Sequence, residues 1–194
     1  CRGLEISTSV EHLKQELEKS KDVDLVKPLY PLFEHISKQV GFYKGDIISD
    51  GIQAAKWCLE HNLIQQGFTI LQEILITNFI IITNEDPTDK KHRGIAASAI
   101  SICQKNIPED QWTGVAGRSP EITKQYNSLY KKEIELVEVL DGLTELRNDL
   151  NHAGFRDQPT KADVFSKKLG KLIDKTEHSF DSYLPDKTIP AHKL

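Results

Sequence analysis

Residues 143–155 have the sequence LTELRNDLNHAGF, and the interpretation of the whole chain starts from this stretch. Leu143, Leu146 and Leu150 recur at the three- and four-residue spacing that places apolar side chains on one face of an α-helix. Gly154 suits the left-handed backbone conformation in which many helices end. The stretch is therefore predicted to form the last turns of a helix whose leucine face packs in a core.

Polar side chains occupy positions between these leucines, namely Arg147, Asn148, Asn151 and His152. At about 100° per residue, Asn148 and His152 share one face of the helix, and Arg147 and Asn151 share another. Arg147 and His152 project about 140° apart, so one regular helix does not direct both at the same small group. Either a distorted helix end or a two-fold dimer, which sets a patch against its own copy, would bring them together.

Arginine and histidine are residue types that suit RNA cleavage. A histidine can take the proton of a 2′-hydroxyl and deliver one to the leaving 5′-oxygen, because its side chain ordinarily titrates near neutrality. An arginine presents a planar charged fork that matches phosphate oxygens. In this interpretation Asn148 orients His152. The alternative is structural: Arg147 pairs with Glu145 or Asp149, and the helix dipole favours His152 at the helix end.

The segment Arg147–His152 resembles the signature of HEPN domains, which are all-helical modules and often metal-independent endoribonucleases. Residues 56–67, with the sequence KWCLEHNLIQQG, add a closer match. Together the two segments resemble the C-terminal HEPN domain of ancillary ribonucleases from type III CRISPR systems. The resemblance extends from Asp46 to Tyr183. In that family the HEPN domain follows a CARF domain that binds cyclic oligoadenylate, and no CARF portion is recognisable in this sequence.

The resemblance implies a homodimeric, metal-independent endoribonuclease that cleaves single-stranded RNA in antiviral defence. Regulation would come from cyclic oligoadenylate through the missing CARF domain. The catalytic residues would be Arg147, Asn148 and His152, supported by Asn151, with no cofactor, and the dimer would form through the segment that holds them. Two other functions stay open: a catalytically silent HEPN-like dimerisation or nucleotide-binding module, and a toxin-type HEPN protein that a partner neutralises.

The composition is typical of a soluble globular protein. The chain has 194 residues, of which 38% are hydrophobic and 28% charged, with a net charge of −4. An acidic chain is not a general nucleic-acid binder, so RNA would need a local basic surface. Two candidate surfaces are a lysine stripe and a basic cluster, formed by Lys161, Lys168, Lys171 and Lys175 and by Lys90, Lys91 and Arg93. The alternative for both is an ordinary solvated surface.

The cysteines, the histidines and the longest apolar run bear on metal binding, cellular compartment and membrane insertion. Cys58 and Cys103 lie in apolar segments and, like Cys1, show no metal-ligand spacing, which indicates reduced cysteines of a cytoplasmic protein. The seven histidines are scattered, so no metal site is expected. The apolar run 70–82 is interrupted by polar residues and is too short to cross a membrane. The chain begins with cysteine and contains no methionine, which predicts a piece of a longer protein.

His61 follows Trp57 by four residues, so the two side chains share a helix face. One interpretation is that His61 approaches the Arg147 site. The favoured interpretation is a buried, hydrogen-bonded histidine or an aromatic packing pair.

The periodicity predicts an all-α bundle of five to seven helices. A helix over 8–20 would start with a Thr8–Glu11 capping box, and a second over 25–40 would have its true start near Tyr30. Asp46 would cap the segment that follows, which is either one long helix or two meeting near Asn62.

Further along, a helix passes through Ile95 and Ile102. A helix capped by Ser119 starts at Pro120 and continues into the opening stretch, and the last helix starts at Thr160. The domain prediction is an N-terminal helical segment packing on the bundle (1–45), a HEPN-like domain (46–183) and a polar tail (184–194).

Overall fold

The computed structural model describes residues 5–21, 24–152 and 161–183, and these residues form an all-α bundle without β-strands. Short 3₁₀ segments occur at Asp24–Leu29 and Glu109–Gln111. The α-helical elements in the described ranges are α1 (Ile6–Ser20), α2 (Tyr30–Val40), α3 (Ile47–Glu60), α4 (Ile64–Ile82), α5 (Lys90–Lys105), α6 (Gly114–Gly117), α7 (Pro120–Lys132), α8 (Ile134–Asn151) and α9 (Ala162–Tyr183). The all-α prediction is confirmed, although five to seven helices is too few.

Two features account for the larger number. The segment predicted as one helix from Pro120 onward breaks at Glu133, whose backbone has φ −106° and ψ 44°. The break lets α7 pack on α5, whereas α8 packs on α4 and α9. The second feature is α6, a single four-residue turn within a connection that the sequence predicts to be irregular. Local periodicity continues across Glu133, so only the different packing partners reveal the break.

The α3–α4 pair is the centre of the bundle, and here two helices form rather than one. Asp46 caps α3 as predicted, since its Oδ1 accepts a hydrogen bond from the Ser49 N–H at 2.7 Å. After α3 the chain reverses at Asn62, which has a left-handed φ of 57°. The two helices pack closely at Gly51, which has no side chain. A Cβ added at this position would lie 2.2 Å from the Ile74 side chain.

The core lies around α4, which contacts α3, α5, α8 and α9. Phe79 of α4 is completely buried and packs edge-to-face on Tyr130 of α7, with ring centroids 4.6 Å apart. The leucine face of α8 enters this core as predicted, since Leu143 and Leu146 are buried and Leu150 packs against them partly buried. Burial of this face positions the polar residues between the leucines at the edge of the core.

The N-terminal helices are less buried. No residue of α2 is buried, and Leu32 and Phe42 expose 53% and 63% of their surface. The start of α2 at Tyr30 is confirmed. The predicted capping box is wrong: α1 begins at Ile6, so Thr8 and Glu11 lie inside the helix, and its N-cap makes no side-chain hydrogen bond.

Other expectations are settled by burial and position. Cys58 and Cys103 are buried free thiols, as predicted, and burial raises the pKa of both. Pro120 opens α7 as predicted, but the Ser119 side chain makes no capping hydrogen bond.

Some predictions concern residues outside the described ranges. They are those for Gly154, Thr160, Cys1 and the tail after residue 183. None of the helices in the described ranges combines the length and the hydropathy of a membrane span.

Candidate functional site

Arg147 lies half-buried where α8 packs on α4. Its Nη1 donates a hydrogen bond to Oε1 of Gln72 at 2.7 Å. The Gln72 amide is itself positioned, since its Nε2 donates to Oγ1 of Thr144 at 3.3 Å. A guanidinium has five N–H donors, so one amide contact orients it and leaves capacity to bind phosphate oxygens. This contact reaches across to α4, and the structural alternative, a pairing of Arg147 with Glu145 or Asp149 within α8, stays a separate prediction.

A second amide contact joins the same two helices nearer the end of α8. Oδ1 of Asn151 accepts a hydrogen bond from Nε2 of Gln65 at 2.9 Å. Gln65 and Gln72 are seven residues apart, as are Thr144 and Asn151, so each pair lies two turns apart on its helix. These four residues with Arg147 form a polar seam between the helices. Arg147 and Asn151 share this face, in agreement with the predicted geometry.

The two glutamines of the seam were missed by the sequence interpretation. Their seven-residue spacing along α4 is the available signal, because it places Gln65 and Gln72 on one stripe of that helix. Nothing local indicates which helix this stripe contacts. The partner residues are 86 and 75 positions away along the chain.

His152 is the C-terminal capping residue of α8 and directly follows Asn151. It is exposed, and its main-chain N–H donates to the carbonyl oxygen of Asn148 at 3.1 Å. The side chain of Asn148 is exposed as well, so both residues lie on a face that α4 does not cover. The contact described between them joins main-chain atoms, and the predicted orientation of His152 by the Asn148 side chain stays a prediction. Arg147 is bound to α4, whereas His152 is at the exposed helix end.

Trp57, in the last turn of α3, and His61, which caps that helix, form a stacked aromatic pair. Their ring centroids are 4.1 Å apart at an interplanar angle of 23°, and Nδ1 of His61 lies 2.8 Å from the Trp57 carbonyl oxygen. The packing pair is therefore confirmed, but the burial is not: Trp57 is 39% exposed and His61 is exposed. Four residues span at most ~14 Å, so this pair is near Gln65 and its contact with Asn151.

The predicted basic cluster divides into two kinds of residue. Arg93 anchors α5 to α4, since its guanidinium pairs with the Glu73 carboxylate and donates to Oγ1 of Thr77 at 3.1 Å. Its charge is compensated by that carboxylate. Lys90 and Lys91 are exposed in the first turn of α5 and are the members of the cluster that face solvent.

The lysines of the predicted stripe are all exposed. Lys161 precedes α9, while Lys168, Lys171 and Lys175 lie along it. Lys175 borders a cleft of about 430 Å³ between α8 and α9, which is lined by Glu135, Glu138, Asp174, Lys175, His178 and Ser179. The three carboxylates in this cleft oppose binding of phosphate at that end of the stripe.

In the described ranges, no group of three or more His, Cys, Asp or Glu side chains could hold a metal ion. No protein-family model, curated protein or solved structure matches the chain. The function is accordingly inferred from the chemistry of the polar seam and the exposed end of α8.

Proposed function

We propose that this chain is a metal-independent endoribonuclease that cleaves single-stranded RNA as a homodimer. The observation that carries the proposal is the orientation of Arg147 by Gln72 near the exposed end of α8, five residues before the exposed His152. The resemblance of residues 56–67 and 147–152 to CRISPR-associated HEPN ribonucleases supports the same activity. Antiviral defence and regulation by cyclic oligoadenylate are parts of the proposal that rest on this resemblance.

The partner of Arg147 favours a role in binding an anion. Gln72 is neutral, so its amide oxygen orients the guanidinium without cancelling the positive charge. Arg93 illustrates the contrasting arrangement, in which the Glu73 carboxylate compensates the charge of a structural arginine. An oriented guanidinium stabilises the additional negative charge that a phosphate acquires in the transition state.

The proposed reaction is an intramolecular transesterification. His152 takes the proton of the 2′-hydroxyl, and the 2′-oxygen forms a bond to the adjacent phosphorus. The bond between phosphorus and the 5′-oxygen breaks, and that oxygen receives a proton. In a two-fold dimer the histidine of one protomer serves as base and that of its partner as acid, while the two copies of Arg147 bind the phosphate oxygens. The products are a 2′,3′-cyclic phosphate and a 5′-hydroxyl.

The reaction predicts specific products and cofactor requirements. RNA fragments should end in a 2′,3′-cyclic phosphate, as measured by mass spectrometry, and DNA of the same sequence should stay intact because it lacks the 2′-hydroxyl. Chelators should leave the rate unchanged.

Replacing Arg147 with lysine should severely impair cleavage, because an ammonium cannot make the planar two-pronged contact to phosphate. Arg118→Lys, at an exposed position, serves as the control. Comparable cleavage of DNA, or activity that requires an added divalent metal, would contradict the chemistry.

The dimer is a separate prediction. Light scattering at tens of micromolar should give the mass of two chains, because the proposed site needs residues from two copies. Asn148→Glu places a charge on the exposed face beside His152 and should weaken association, since the two copies of this charge repel across a two-fold axis. Gln125→Glu, exposed on α7, is the control that adds the same charge elsewhere. A monomer for the unaltered protein would refute this arrangement, and a dimer without RNA cleavage would indicate a silent dimerisation module.

A further inference from the structure

The stacked pair Trp57–His61 presents aromatic surface to solvent. An indole that is 39% exposed is unusual for a side chain of this size, and here a second ring lies nearly parallel to it. The contact between Nδ1 of His61 and the Trp57 carbonyl oxygen holds the imidazole in place. The pair is therefore a preformed aromatic surface at the end of a helix that is itself packed in the core.

The position of this pair relates it to the polar seam. His61 follows the last residue of α3, and four residues later Gln65 binds Asn151, the residue before His152. The aromatic pair thus flanks the chain reversal that leads into the seam. It shares this end of the bundle with the exposed end of α8.

The lysine stripe also lies on a helix that adjoins the end of α3. Nζ of Lys56, the neighbour of Trp57, pairs with Glu177 of α9 at 2.6 Å. Gly170 of α9 approaches the side chain of Leu59 of α3, where an added Cβ would be 3.5 Å from it. The helix that carries Lys168 and Lys171 therefore packs on α3, the helix whose end carries the aromatic pair.

We infer that the Trp57–His61 pair is a stacking platform for a base of single-stranded RNA next to the Arg147–His152 site. The identity of the ligand rests on the proposed function. Unpaired bases stack on aromatic side chains, and such stacking tolerates any base because each has a π-face. The pair binds the base, while Arg147 and the α9 lysines contact phosphates. The aromatic platform and these positively charged side chains lie at one end of the bundle. RNA would contact both through its bases and phosphates, whereas an apolar peptide would make no favourable contact with the charges.

Tryptophan fluorescence tests the platform directly. The chain has two tryptophans, so a protein carrying Trp112→Phe reports on Trp57 alone. Adding His152→Ala prevents turnover during titration. A ten-nucleotide single-stranded RNA should quench Trp57, whereas an oligomer of the same length with abasic sugars should bind more weakly and cause little quenching. Trp57→Ala, made with Trp112 retained and measured by anisotropy of labelled RNA, should weaken binding about 5- to 150-fold, the value of one base stack. Phe42→Ala removes another exposed aromatic ring and should leave the affinity unchanged.

The outcomes separate the platform from the catalytic proposal. If the protein cleaves RNA but RNA leaves Trp57 fluorescence and Trp57→Ala affinity unaltered, the platform is refuted and the ribonuclease proposal stands. If RNA quenches Trp57 but is never cleaved, the platform stands and the catalytic proposal fails. Equal binding of the abasic oligomer refutes the platform, as does a peptide that quenches Trp57 when RNA does not. Should Trp57→Ala fail to fold, as judged by circular dichroism, the quenching measurement decides alone.

Discussion

Replacing His152 with alanine should lower the rate of RNA cleavage by about 10²–10⁴-fold, the usual contribution of a general acid or base. The fold should persist, because His152 is exposed and its structural contact to Asn148 uses the main-chain N–H, which alanine keeps. Single-turnover cleavage of a labelled RNA measures the rate. Urea unfolding of the same preparations should show matching midpoints for mutant and parent.

A matched histidine serves as the control for this experiment. His35 is exposed on α2, so His35→Ala removes the same side chain away from the proposed site and should cleave at the parental rate. Parallel purification of the three proteins controls for contaminating ribonuclease. Equal cleavage by His152→Ala and the parent would remove His152 from the mechanism, and an equal loss in both alanine variants would show that the effect is not local.

Replacing Phe79 with alanine should reduce the free energy of unfolding by about 3–5 kcal/mol, the usual cost of a cavity left by a buried phenylalanine. Phe79 is completely buried and its ring packs edge-to-face on Tyr130, so the substitution removes both apolar burial and an aromatic contact. Such a loss is a large fraction of the total stability of a typical domain, about 5–15 kcal/mol. Chemical denaturation followed by far-ultraviolet circular dichroism measures it.

The control is the same substitution at an exposed position. Phe42 is 63% exposed, so Phe42→Ala should change the free energy of unfolding by less than about 0.5 kcal/mol. The contrast tests whether Phe79 lies within the core around α4, as described, because both variants lose the same atoms. Similar losses at the two positions would mean that Phe79 is not enclosed by the packing described here.

The amino-acid sequence by itself determined the helical class and the faces of the helices. Apolar spacing is a local property, so Leu143 and Leu146 could be assigned to the core without knowledge of their neighbours. The cap at Asp46 is equally local, since its carboxylate binds an N–H three residues away. The same geometry separated the face of Arg147 from that of His152.

Only the tertiary structure decided which helices meet and what the polar residues contact. Gln72 orients Arg147 from 75 residues away, and no periodicity specifies that α8 packs on α4 rather than on another apolar face. The break at Glu133 has the same origin, because α7 packs mainly on α5, whereas α8 packs mainly on α4 and α9. The tertiary structure also distinguishes Arg93, which pairs with Glu73, from Lys90 and Lys91, which face solvent. Apolar burial is favourable against any complementary face, so pattern determines which side of a helix is buried, while the shape of the assembled core determines its partner.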